Sequence, residues 1–351
     1  MTSRLERLRE RLDELGVPAL LVSDATNVRY VTGFASSNAW LLVDADRARL
    51  LTDGRYIEAA SAVENVEAIA AKRNLATDLE SRLPTLTEGP VGFEAERMTV
   101  SVHARIAASG VELRPTRRAV EALRAVKDAG ELDAIRRSTA LLMEAFERFA
   151  AGPVVGSTEA ELAWTVERTI RELGAEAVSF EPIVASGPNA ARPHHHPGSR
   201  VVQAGELLLL DAGAVVDGYC SDCTRTFATG PLAPPLERAY AVCKDAEERS
   251  LAATLAGARC VEVDGVARAV LAEHGYEAMH GLGHSVGLEI HEDPRLSPES
   301  ESTLEAGNVV TVEPGVYISG SGGVRIEDLV IVGEGGPEVL TTFTKELVTV
   351  A

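Results

Sequence analysis

In the opening stretch MTSRLERLRERLDELG, Leu5, Leu8, Leu12 and Leu15 recur every three or four positions among Arg and Glu. That spacing lines one stripe of a helix, and the charged remainder predicts a surface amphipathic helix and not a secretion signal. From 18 to 118 short apolar runs bounded by Gly, Pro or Asp predict alternating strands and helices. They are PALLVSD, a hairpin in WLLVDADRARLLTD, a helix over 55–64, VGFEAE, a helix over 99–109, and VELRPT. Such a succession predicts a layered α/β domain.

The texture changes after 118. Residues 119–150 read as helix almost throughout, interrupted at Asp128-Ala-Gly130, and predict a connector into a second domain, 119–351. There, helices are expected at 158–173, 235–256 and 261–274, with a Pro/His-rich loop at 187–199. The strand-like runs are GELLLLDAGAVV, YCSDCTRTFA, NVVTVEPGVYI and VRIEDLVIV. The expected fold class is therefore α+β in two domains, the smaller one N-terminal (1–118).

Among 351 residues, 34 are basic and 53 acidic, a net charge of -19. This argues against nucleic acid and anionic membranes as partners, since both require a basic footprint. No apolar run reaches the roughly 20 residues of a membrane span, and with four cysteines the chain is expected to be cytoplasmic with reduced thiols.

LLLLDAGAVV and YCSDCTRTF flank Asp217-Gly218, a strong two-residue hairpin signal. Folding there pairs Val216 with Tyr219, Gly213 with Asp222, and Asp211 with Thr224. The carboxylates of Asp211 and Asp222 then project from one face as diagonal neighbours about 7–8 Å apart at the backbone. Such a pair suits two cations about 3.5–4 Å apart; the plainer reading is two water-exposed acids. Alternation puts Cys220 on the face of Asp222 and Cys223 on the other, so this C-x-x-C reads as two small buried hydrophobes rather than a redox or zinc pair.

Three more segments carry candidate chemistry. HGLGHSVGLEIHEDPR places His284 in a glycine-rich loop with His291 seven residues on; VVTVEPGVY leaves Glu313 at a strand end; VRIEDLVIV sets Glu327 among apolar neighbours. Two Asp, two Glu and one His form a plausible ligand set for two divalent ions.

The order D-x10-D, G-x-G-H, E-P-G, R-I-E resembles the metallopeptidase family of methionine aminopeptidase, Xaa-Pro aminopeptidase and prolidase. YVTGF, TDGRY and LRAVKDAGELDAIRRS extend the resemblance to the N-terminal domain and linker of its Xaa-Pro branch. It implies a C-terminal "pita-bread" (creatinase-type) catalytic domain and the metal ligands Asp211, Asp222, His284, Glu313 and Glu327. It also implies Glu313 as proton shuttle, His291 at the substrate carbonyl, and a further active-site histidine in SGPNAARPHHHPG. That histidine is taken as His194, with His195 and His196 as the other choices. Arg325 and Tyr317 are expected to bind substrate.

The implied reaction is hydrolysis of the Xaa-Pro bond in small peptides with proline second. A free proline carboxylate would suit the guanidinium fork of Arg295, which makes a prolidase the first expectation. An Xaa-Pro aminopeptidase acting on longer peptides and a non-catalytic binding protein of the same fold are the alternatives. Two divalent ions are expected, Mn2+ first, with Zn2+ or Co2+ also compatible, in a homodimer.

Overall fold

The computed structural model describes residues 3–351; Met1 and Thr2, the first residues of the amphipathic stretch, lie outside the described residues. The chain forms two compact units, one ending at Arg124 and the other spanning Ala125–Ala351.

In the first unit the amphipathic stretch is the helix Arg4–Leu15, with Leu5, Leu8 and Leu12 buried. Ser3 caps it in a reciprocal box with Glu6, and Gly16 ends it at φ 66. A six-stranded sheet follows in the order Glu67–Ala70, Ala48–Thr52, Ala39–Asp44, Ala19–Val22, Val91–Glu94, Leu113–Thr116. The expected hairpin is its antiparallel centre, and the outer pairings are parallel. The helix expected over 55–64 is a single turn, Ile57–Ala60. The chain leaves it for a left-handed Asn65 and the strand Glu67–Ala70, then the helix Leu75–Leu86, neither of which the apolar pattern announced.

In the second unit Asp128 caps the 22-residue helix Ala129–Ala150 through a box with Glu131, so the interruption at 128–130 is a helix start. The strands Leu207–Ala212 and Cys223–Ala228 pair antiparallel, as do Ala214–Val216 and Tyr219–Cys220. Both pairings keep the register expected from the Asp217-Gly218 turn, whose residues have φ 50 and φ 79. Along the first of these strands, Leu208, Leu210 and Ala212 pack with Cys223, Phe227, Leu142, Phe146 and Leu162 under the helices Ala129–Ala150 and Glu159–Glu172. Leu207 points to the opposite side, into a cluster with Leu236, Tyr240 and Val324. Asp211 shares that second face through the two-residue period.

VRIEDLVIV is not one strand. Gly322–Arg325 pairs with Gly315–Ile318, whereas Asp328–Ile331 joins a five-stranded sheet beside Val309–Val312. Ile326 and Glu327 form the junction, where Glu327 N–H donates to the Thr224 carbonyl at 3.1 Å. That crossing brings the end of one sheet against the acidic hairpin.

Candidate active site

The hairpin register and the strand crossing bring Asp211, Asp222 and Glu327 together, each offering an oxygen within 4.8 Å of the others. All three are buried. Thr224, opposite Asp211 in the ladder, donates to Glu327 Oε2 at 2.7 Å and aims that carboxylate. Glu313 follows the strand Val309–Val312 and accepts from Thr311 Oγ1 at 3.1 Å. His284 lies on the short strand Gly283–Ser285, not in a loop, with Nε2 at 3.4 Å from Glu313 Oε1 and 3.7 Å from Asp222 Oδ2.

Electrostatics set the character of this cluster. Burial, then the neighbouring Glu327, Asp211 and Glu313, pushes the Asp222 carboxyl well above the usual range. Glu327 is pushed up likewise by burial and by Glu313 and Asp211, and Glu313 reaches about 7 chiefly through burial. Burial lowers His284 to about 4, with His291 adding to the effect, so its imidazole is neutral. Its Nδ1 faces the Ser285 carbonyl at 3.1 Å, which directs the Nε2 lone pair at the carboxylates.

Two carboxylate oxygens, Asp211 Oδ1 and Asp222 Oδ1, are buried without a hydrogen-bond partner. Acids crowded this closely repel one another, and buried acceptors left unpaired are costly. Divalent cations answer both problems, and a set of carboxylates with one neutral imidazole has the donor chemistry for them. The residues present therefore fit a metal centre.

A cavity of about 490 Å³ opens above the cluster, lined by His194, His291, Arg295, Phe180, Ile183 and Ile290 among others. The rings of His291 and His284 are 4.4 Å apart. The three histidines in sequence go three ways. His194 lines the cavity, His195 Nε2 meets Glu159 Oε2 at 2.8 Å, and His196 projects to solvent. Glu159 is fully buried and also accepts from the Ser186 and Gly198 amides, the Ser186 hydroxyl and the Asn189 side chain. One carboxylate thus gathers the whole loop that presents His194.

Arg325 is buried and directs its guanidinium to Asp211 Oδ2, Thr224 Oγ1, Tyr317 Oη and the Pro193 carbonyl. Tyr317 Oη also meets His280 Nε2 at 2.9 Å. His280 itself lines the cavity, and burial lowers it to about 4. Neither His280 nor Thr224 and Thr311 stood out in the sequence. The available signals were the first histidine of HGLGH and, for Thr224, its register opposite Asp211.

The model of metallopeptidase family M24 matches residues 133–334, and that of the creatinase/prolidase N-terminal domain matches residues 4–126. The chain belongs to metallopeptidase family M24. Within this family it is 32% identical to an Xaa-Pro dipeptidase of Pyrococcus furiosus over 99% of this chain and 100% of that protein. Its fold matches the Xaa-Pro dipeptidase from Bacillus anthracis with a TM-score of 0.95 at 36% identity, covering 99% of each chain. An X-Pro aminopeptidase from Thermotoga maritima matches with a TM-score of 0.89 at 33% identity, covering 99% of this chain and all of the other. Membership of M24 makes the chain a metallopeptidase using divalent metal, with the two-domain α+β architecture of the creatinase/prolidase fold. Among the described residues, no helix is long and apolar enough to cross a membrane.

Proposed function

We propose that this metallopeptidase cleaves the Xaa-Pro bond of dipeptides, using two divalent ions held by Asp211, Asp222, His284, Glu313 and Glu327. The observation that carries this reading is the buried carboxylate cluster, with its neutral imidazole and two unpartnered oxygens, beneath a cavity edged by Arg295. Prolidases and Xaa-Pro dipeptidases among the matched relatives support the substrate class. Manganese is the proposed metal; a homodimer in the cytoplasm, with its cysteines free, is the proposed setting.

Divalent ions held by these residues would supply an acidified water and Lewis-acid polarisation of the scissile carbonyl. His291 donates to the carbonyl oxygen as charge develops there, and Glu313 relays a proton to the departing prolyl nitrogen. His194 closes the opposite wall over the substrate. Phe180, Ile183 and Ile290 supply apolar surface for the pyrrolidine ring. Arg295 pairs with the free proline carboxylate, which only a dipeptide presents at that point. Arg325 and Tyr317 act on substrate by holding the cavity floor, through Asp211 and His280.

The test compares release of alanine from Ala-Pro and Ala-Pro-Ala, with added manganese and with chelator. Metal-dependent cleavage of the dipeptide alone supports the reading. Equal or faster cleavage of the tripeptide favours an Xaa-Pro aminopeptidase, the activity named for the Thermotoga maritima relative. No cleavage of either sinks the proposal.

A further inference from the structure

Lys127 immediately precedes Asp128, the cap of the helix Ala129–Ala150, and its side chain is only 1% exposed. An ammonium carries three N–H donors, and this one is surrounded by acceptors. Ser285 Oγ lies at 2.8 Å, Glu292 Oε2 at 3.3 Å and the Ala125 carbonyl at 3.5 Å. A lysine is kept this dry only when its charge is matched and its donors are satisfied.

Its two side-chain partners are placed tellingly. Ser285 follows His284, Glu292 follows His291, and Ser285 and Glu292 are direct partners across the antiparallel pair Gly283–Ser285 and Glu292–Leu296. Ser285 and Glu292 meet Lys127, while the preceding histidines line the cavity with their rings 4.4 Å apart. The register of this pair shifts between His284 and Ser285, so ladder hydrogen bonds alone do not fix how the two histidines face each other. The other oxygen of Glu292, Oε1, accepts from the Glu289 amide at 3.1 Å. A Cβ on Gly287 would come within 2.5 Å of Glu292 Oε2, so the turn carrying His291 is closed down on this carboxylate.

We infer that Lys127 is a positioning residue. Its ammonium pins Ser285 to Glu292 across the irregular register and thereby fixes His284 and His291 relative to each other. The inference rests on the metallopeptidase reading of those two histidines. Lys127 is not among the residues that line the cavity.

The test uses the full chain with Lys127→Met and Lys127→Arg. Manganese affinity is measured by calorimetry, kcat and KM on Ala-Pro, and Tm without metal. Lys127→Met is expected to weaken manganese binding about 10–100-fold, as loss of a group behind a ligand does. It should lower kcat more than KM, and Lys127→Arg should recover part of both. A folded Lys127→Met protein that binds manganese as tightly as the parent overturns the inference, whatever its Tm. If Lys127→Met does not fold, Ser285→Ala decides by the same titration: weaker manganese binding supports the clamp and unchanged binding overturns it. If the parent enzyme cleaves no Xaa-Pro bond, the function proposed above fails, and the manganese titration still decides the role of Lys127.

Discussion

Arg325 Nη2 lies 2.5 Å from Asp211 Oδ2, and both side chains are buried. One oxygen of Asp211 is thereby neutralised by the protein while the other, Oδ1, is left without a protein partner. On the proposed ligand set, the guanidinium decides which oxygen is left for the metal. Removing it with Arg325→Met should strand a buried carboxylate, at a cost of about 3–5 kcal/mol. Denaturant melts of the metal-free protein measure that cost. Added manganese should offset part of it; equal stability of parent and variant in both states would contradict the arrangement.

Metal-free stability should fall as pH rises through neutrality. Asp211, Asp222, Glu313 and Glu327 all have folded-state pKa values above their ordinary ones, chiefly because they are buried. Such groups stabilise the fold below their unfolded pKa and lose that contribution as pH passes the folded value, about 7 for Glu313. His280, His284 and His291 are lowered and act oppositely, with stability lost as pH falls from their ordinary 6.5, through about 4 for His280 and His284. Above about 7.5 these histidines are almost wholly neutral in both states, and the raised carboxylates dominate the slope. Tm measured from pH 7.5 to 8.5 in chelator should therefore decline, and manganese should flatten the slope.

Arg295→Met should separate dipeptide from tripeptide. Losing a charge-assisted contact worth about 1.5–3 kcal/mol raises KM for Ala-Pro roughly 10–100-fold. Ala-Pro-Ala kinetics should stay unchanged. A variant with parental KM for the dipeptide would rule out Arg295 as the partner of the proline carboxylate.

Glu159→Ala should behave as a loss of His194. It removes the acceptor shared by Ser186, Asn189, His195 and Gly198. Its kcat should fall to that of His194→Ala, and the double variant should fall little further, because the two side chains act as one unit. Additive losses would show that Glu159 acts elsewhere.

Cys220→Ala with Cys223→Ala should keep metal stoichiometry and kcat while costing about 1–3 kcal/mol of stability. The two thiols pack in separate apolar clusters, Cys220 with Ile135, Val286 and Leu329, and Cys223 with Leu142 and Phe227. Metal analysis of the purified double variant checks this.

The hairpin was legible in the sequence because its information is local. Asp217-Gly218 sets the turn, the turn sets the register, and the register puts Asp211 and Asp222 on one face. Glu327 was recognisable as a costly acid among apolar neighbours, yet the break of its strand into two sheets was not, since VRIEDLVIV satisfies one strand as well as two. Long-range hydrogen bonding was invisible in the same way. Nothing in the run of three histidines tells that Glu159, 36 residues before His195, claims the middle one. Thr224, Thr311 and Lys127 likewise have their effect only through partners that tertiary folding supplies.

The two-residue turn at Asp217-Gly218 also keeps the Cys223 thiol on the helix-covered side, away from the carboxylate cluster. Side chains alternate along the returning strand, so one residue inserted in the turn would slide every position to the opposite face. Ser221 would take the place of Asp222, Asp222 would turn toward the helix-covered core, and Cys223 would replace Thr224 opposite Asp211. A cluster of hard oxygen donors would gain a soft thiolate, a ligand that favours zinc over harder cations. The length of one tight turn therefore decides which donors of the returning strand face Asp211.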